Sequence, residues 1–132
     1  MDGRRIGGID YSLLCPAVTI YTGEKENFSF ENCKSFFLSG VKKYEDYQYK
    51  NIEGSPQFKL WETEERYDFI SDWALDILIS NEIENVAIED YSYGSKGKVF
   101  HIAENTGLLK YKIWQADMKM LLIAPTAIKK FA

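Results

Sequence analysis

The stretch Gly7-Gly8-Ile9-Asp10-Tyr11-Ser12 sets the tightest limit on what this chain can fold into. It reads as an apolar strand holding one acid, because Asp10 is the only charged residue between Arg5 and Glu24. A carboxylate carried into a strand interior loses hydration that only a partner, such as a metal ion, restores. A second short apolar run ends the same way, in Asn85-Val86-Ala87-Ile88-Glu89-Asp90. Either acid alone would pass for an ordinary strand-end carboxylate. Two separated strands that each deliver an acid point instead to one site built from two distant segments.

A length of 132 residues suffices for one domain, 1–132, with a core of its own. No apolar run approaches the roughly 20 residues of a membrane helix, and Met1-Asp2-Gly3-Arg4-Arg5 leads into a strand pattern rather than a secretory core. Cys15 and Cys33 have neither metal-site nor redox spacing and read as reduced thiols of a cytoplasmic protein. The net charge of −4 conceals two unlike halves. Residues 1–93 hold 9 Lys/Arg against 18 Asp/Glu, whereas residues 94–132 hold 7 lysines against Glu104 and Asp117. Such a split can mark a surface that meets a polyanion. A lysine-rich solvated helix face is the plainer reading of charge alone.

Residues 5–12 and 16–21 read as strands, and 27–38 as a third, giving an antiparallel meander. The polar, tyrosine-rich stretch 39–62 shows no period and reads as a loop, with a short strand or helical turn near 58–61. Its tyrosines (Tyr44, Tyr47, Tyr49) can stack on bases, but packing the loop onto the body is the commoner role. A helix is expected from Thr63, a suitable N-cap, with Phe69, Ile70, Trp73, Ala74, Ile77 and Leu78 on one face and Asp68, Asp72 and Asp76 turned to solvent. After the strand at 85–89 and a glycine-rich connection, a second helix covers about 98–111. Gly107 lies inside it, a candidate for close approach of another backbone. Met120-Leu121-Leu122-Ile123-Ala124 is the last strand, stopped by Pro125, and residues 126–132 open a helix that breaks off after less than two turns.

Three meander strands followed by helix, strand, helix, strand and helix start resemble the ribonuclease H-like topology. More specifically, the sequence resembles the RuvC-like Holliday junction resolvases, particularly their short phage-type members. Gly8-Ile9-Asp10-Tyr11-Ser12 with Pro16-Ala17 is similar to the first motif of that family, and Ile88-Glu89-Asp90-Tyr91 to the second. Gly94-Ser95-Lys96-Gly97-Lys98-Val99-Phe100, running on to Lys110, is similar to its helix entry. Ala124-Pro125-Thr126 with Ile128-Lys129-Lys130-Phe131 resembles the lead into its last helix. Only 39–62 stands outside the likeness.

The resemblance implies a mixed α/β fold, a five-stranded sheet flanked by helices, and a metal-dependent endonuclease that cuts branched DNA such as four-way junctions as a homodimer. Two Mg²⁺ ions, with Mn²⁺ as a possible substitute, would rest on Asp10, shared between them, and on Glu89. Lys96 and Lys98, at a helix entry, and Lys129 and Lys130 would contact phosphates. The family pattern also implies one or two acids on the last helix, and nothing acidic follows Asp117 here. Asp90 is a poor substitute, since neighbours on a strand face opposite ways. The chain therefore reads as a piece whose tail completes the site, or as a catalytically silent nucleic-acid-binding module of the same fold. An actin-like ATPase ranks last, for want of a phosphate-binding glycine loop and a second domain. His101, the only histidine, reads as structural or solvent-facing rather than as a base. Ser12 and Thr126 read as capping or turn residues more than phosphate ligands.

Overall fold

The computed structural model describes residues 5–57, 63–89 and 99–123. Among the described residues, seven strands form one mixed sheet: β1 (Ile6–Asp10), β2 (Ala17–Tyr21), β3 (Lys34–Ser39), β4 (Gln48–Tyr49), β5 (Ile52–Pro56), β6 (Asn85–Glu89) and β7 (Lys119–Ile123). The described helices, α1 (Thr63–Ser80) and α2 (Val99–Gln115), cover one face. The order across the sheet is β4-β5-β3-β2-β1-β6-β7. β2 runs antiparallel to β1 and β3, while β6 and β7 run parallel to β1. The mixed α/β class is the expected one, and the five expected strands are present.

Two expectations fail at the β3 side. Residues 39–62 are not simply a loop: β4 and β5 form a hairpin there, and β5 pairs in parallel with β3. The Ile-Glu-Gly-Ser-Pro sequence of β5 has no alternation to betray it. Its place comes from Asn51, whose amide donates to the carbonyls of Phe30 (2.7 Å) and Cys33 (2.9 Å), and from Ser35, whose N–H bonds the Asn51 carbonyl. The expected long strand 27–38 begins only at Lys34. Before it the backbone makes 3₁₀ turns at Lys25–Asn27 and Phe30–Asn32, where the Asn32 amide bonds the Asn27 carbonyl in competition with a ladder.

The core lies between sheet and helices. Ile9, Val18, Ile20, Val86 and Ile88 meet Ala74 and Leu78 of α1 and Leu109 and Ile113 of α2. Both helices stop without glycine. Glu82 and Asp117 take left-handed backbone, and the N–H groups of Ile83 and Met118 reach back to the carbonyls of Leu78 and Ile113. Each stop sends an apolar residue into the core just before the next strand. α2 runs further than expected, to Gln115, and Gly107 approaches no backbone: a Cβ there would meet nothing within 4 Å. Asp68, Asp72 and Asp76 are exposed as expected. Two of them nonetheless hold Lys112 of α2, at 3.1 Å from Asp68 and 2.7 Å from Asp72.

Gly7 and Gly8 show how unlike the two sheet faces are. A Cβ on Gly7 would sit 3.0 Å from Leu78 Cδ2, whereas one on Gly8 would meet nothing within 4 Å. Gly7→Val should therefore cost about 1–3 kcal/mol by overpacking. Gly8→Ala should hold stability or raise it by up to about 1 kcal/mol, both read from urea midpoints. Lys112 joins the helices through its ammonium. Burial works against its charge, but the bonds to Asp72 and Asp68 prevail and raise its pKa above the ordinary 10.5. A raised folded-state pKa makes this contribution complete below pH 10.5 and lost as pH climbs through the higher folded value. Lys112→Met should cost about 1 kcal/mol at neutral pH, with the difference from wild type closing in alkaline urea titrations.

Candidate active site

Asp10 and Glu89 are the last residues of β1 and β6. The parallel register pairs Ile9 with Ile88, so the acids, each one residue further on, stand on neighbouring strands roughly 4.8 Å apart and point to the same face. Both are exposed. Asp10 is thus not buried inside its strand, as the sequence suggested, but emerges at the strand's carboxyl end. Burying Ile9 against the helices turns Asp10 outward, and hydration there relieves the desolvation cost.

The chain leaves β1 to build β2 and β3 on one side and returns as β6 on the other. Open α/β sheets present ligand sites at the carboxyl ends of strands beside such a switch. The acids here open onto a cavity of about 380 Å³ that Gly8, Thr19, Ala87 and Ile123 also line. Its floor is made of small residues, which leaves room against the backbone. Sequence reasoning passed over this floor. The signal was the period of two: Gly8 stands two before Asp10, and Ala87 two before Glu89.

The remaining candidates divide clearly. Lys96, Lys98, Lys129, Lys130, Asp90 and Thr126 lie outside the described residues. His101 is exposed on α2, across the sheet from the acids, with Nδ1 3.2 Å from the Tyr67 hydroxyl. Ser12 accepts the Cys15 N–H at 3.0 Å, a turn role. Cys15 is exposed, Cys33 is buried, and both are free thiols. Among the described residues no third His, Cys, Asp or Glu joins Asp10 and Glu89 in a cluster able to hold a metal. No described helix is long and apolar enough to cross a membrane.

Solved structures share this architecture. That of Thermus thermophilus RuvC aligns with a TM-score of 0.58 at 17% identity, over 92% of this chain and 64% of its own. T. thermophilus RuvC in complex with Holliday junction substrate aligns with a TM-score of 0.60 at 15% identity, over 96% of this chain and 68% of its own. The chain has the RuvC-like fold. It spans about 64% of the first of these neighbours and 68% of the second. No family model matches the sequence, and neither does any curated protein.

Within this RuvC-like frame, Tyr11 is the counterpart of Asp10 on the covered face. It packs on the core, and its hydroxyl is buried with no hydrogen-bond partner among the described residues. Burial pushes the phenol far above its usual pKa, and Asp72 adds to the effect. A buried hydroxyl without a partner is a cost. Tyr11→Phe should therefore leave the urea midpoint unchanged or raise stability by up to about 1 kcal/mol. A loss of stability would mean the hydroxyl is bonded.

Proposed function

We propose that this chain is a metal-dependent endonuclease for branched DNA, with Asp10 and Glu89 as its metal-holding acids. The observation that carries the reading is their placement side by side at the carboxyl ends of two adjacent parallel strands, opening on one cavity. Two hard, exposed carboxylates suit Mg²⁺, and Mn²⁺ in its place. Bound there, a pair of such ions supplies an activated water and a counter-charge for the leaving oxygen of a phosphodiester. The protein's own part is to keep both carboxylates aligned and open. The small floor of Gly8 and Ala87 admits a backbone phosphate to them without a side chain in the way.

The substrate reading rests on the fold shared with a resolvase that has been solved on a Holliday junction. A homodimer would bring two such sites to one junction. Its support is an apolar stripe on α2, where Phe100, Tyr111 and Trp114 are 77, 55 and 67% exposed. These residues lie on one helix face with Gly107, which leaves space for another backbone. A second reading, a silent binding module, draws on the lack of a third metal-holding side chain among the described residues.

One experiment separates the two. The chain is mixed with a labelled four-way junction, with and without Mg²⁺, beside Asp10→Asn and Glu89→Gln. We expect Mg²⁺-dependent paired nicks. Each substitution should reduce them by more than the roughly 100-fold that losing a supporting hydrogen bond to a metal ligand can cost. Junction binding should persist, since both changes remove negative charge. Binding without nicks would favour the silent module, and equal binding to plain duplex would overturn both readings.

A further inference from the structure

A second cavity, of about 660 Å³, opens at the same end of the sheet as the two acids. Leu14, Phe37, Val41, Tyr44, Gln57 and Arg66 are among its walls. They come from the connection after β1, the ends of β3 and β5, and the first turn of α1. We infer that this cavity takes a nucleobase lifted out of the strand that lies across Asp10 and Glu89; the inference rests on the function proposed above.

The sheet itself measures the span. Asp10 pairs with Ala17, Ala17 with Phe37, and Phe37 with Gly54, so these residues form one row across the face that carries the acids. Two strand spacings put Phe37 about 10 Å from Asp10. That is roughly three stacked nucleotides at 3.4 Å each, and fewer once the strand is unstacked. A backbone phosphate at the acids thus has a nearby base within reach of the cavity.

The walls fit such an occupant. Phe37 and Tyr44 provide aromatic surface, and their rings are already set edge to face, 6.2 Å apart. Gly54 is what lets them sit there, because a Cβ at that position would lie 2.6 Å from both the Phe37 ring and the Tyr44 carbonyl. Leu14 and Val41 are 75 and 52% exposed, apolar side chains held open at the rim. Gln57 donates its amide N–H to the Leu13 carbonyl at 3.1 Å, while its buried Oε1 has no partner among the described residues. Gln57 lines the cavity, and a turn of its side-chain amide would bring that oxygen to the exocyclic amine or ring N–H of a base. Arg66 brings a cation, and among the described residues no carboxylate lines the cavity, although the chain as a whole carries −4. Aromatic walls, one polar acceptor and a cation form the usual combination for an unstacked base. The larger cavity on the outer side of β3 lacks it, since Glu31 and Glu53 line that one.

The test places 2-aminopurine, one position at a time, at the nucleotides nearest the branch point of a four-way junction. Fluorescence is read as the chain binds without Mg²⁺, and affinity is measured in parallel by anisotropy. Binding should raise the emission at one position. Leu14→Glu and Val41→Glu, both at exposed sites, should abolish that rise and weaken binding roughly ten- to hundredfold, the range a stacked base accounts for. Ile79→Glu, equally exposed but at the far end of α1, should do neither. A junction that binds with no position brightened, or a signal that survives both rim substitutions, overturns the base pocket and leaves the nuclease reading intact. Failure of the wild-type chain to bind any branched DNA overturns both.

Discussion

The parallel pairing of β1 with β6 is the constraint on which the rest of the structure depends. Its register sets Ile9 beside Ile88 and commits both to the interface with α1 and α2, together with Val18, Ile20 and Val86. Side chains alternate along a strand, so burying these residues forces Gly8, Asp10, Ala87 and Glu89 onto the opposite face. A slip of one residue would exchange the two sets, placing two carboxylates in the core and two isoleucines in water. The core and the candidate site are therefore one arrangement seen from two sides. What stabilises the packing also aims the acids.

The two faces carry different chemistry as a result. The helix-covered face is closed by Leu78, Leu109 and Ile113, which are fully buried, and by Lys112 held between Asp68 and Asp72. The opposite face near the acids is floored by small residues, with Thr19 and Ser35 exchanging a hydrogen bond at 2.8 Å. Strands β1, β3, β5, β6 and β7 run the same way, so their carboxyl ends gather at one rim. Asp10, Glu89 and the cavity they open onto lie at that rim. The β4–β5 hairpin widens it, and the aromatic contacts of Phe37 with Tyr44 and Tyr47 anchor the hairpin to the acid-bearing face.

The comparison with known structures has a similar physical basis. Identities of 15 and 17% leave little of a sequence signal, yet both alignments cover more than nine-tenths of this chain. A fold of this kind asks of most positions only that they be apolar on one face and small or polar on the other. Backbone geometry survives where side-chain identity does not. The chemistry of this chain has to be argued from its own acids and its own cavities.

The sequence by itself determined the strands that end in acids, the amphipathic face of α1 and the order of the elements outside 39–62, because each is written in local periodicity. It also placed Asp10 and Glu89 as the pair to watch, since acids terminating apolar runs are conspicuous in one dimension. Only the tertiary structure decided that Asp10 is hydrated at a strand end rather than buried, because exposure depends on which face the helices cover. It also made β5 a strand, since Asn51 and the neighbouring β3 supply the pairing that Ile-Glu-Gly-Ser-Pro does not advertise. It also left the space beside Gly107 unfilled by the described residues, because a helix shows which residues share a face but not whether anything packs there. Periodicity along the chain identifies elements, and the partners that meet across space decide what each face does.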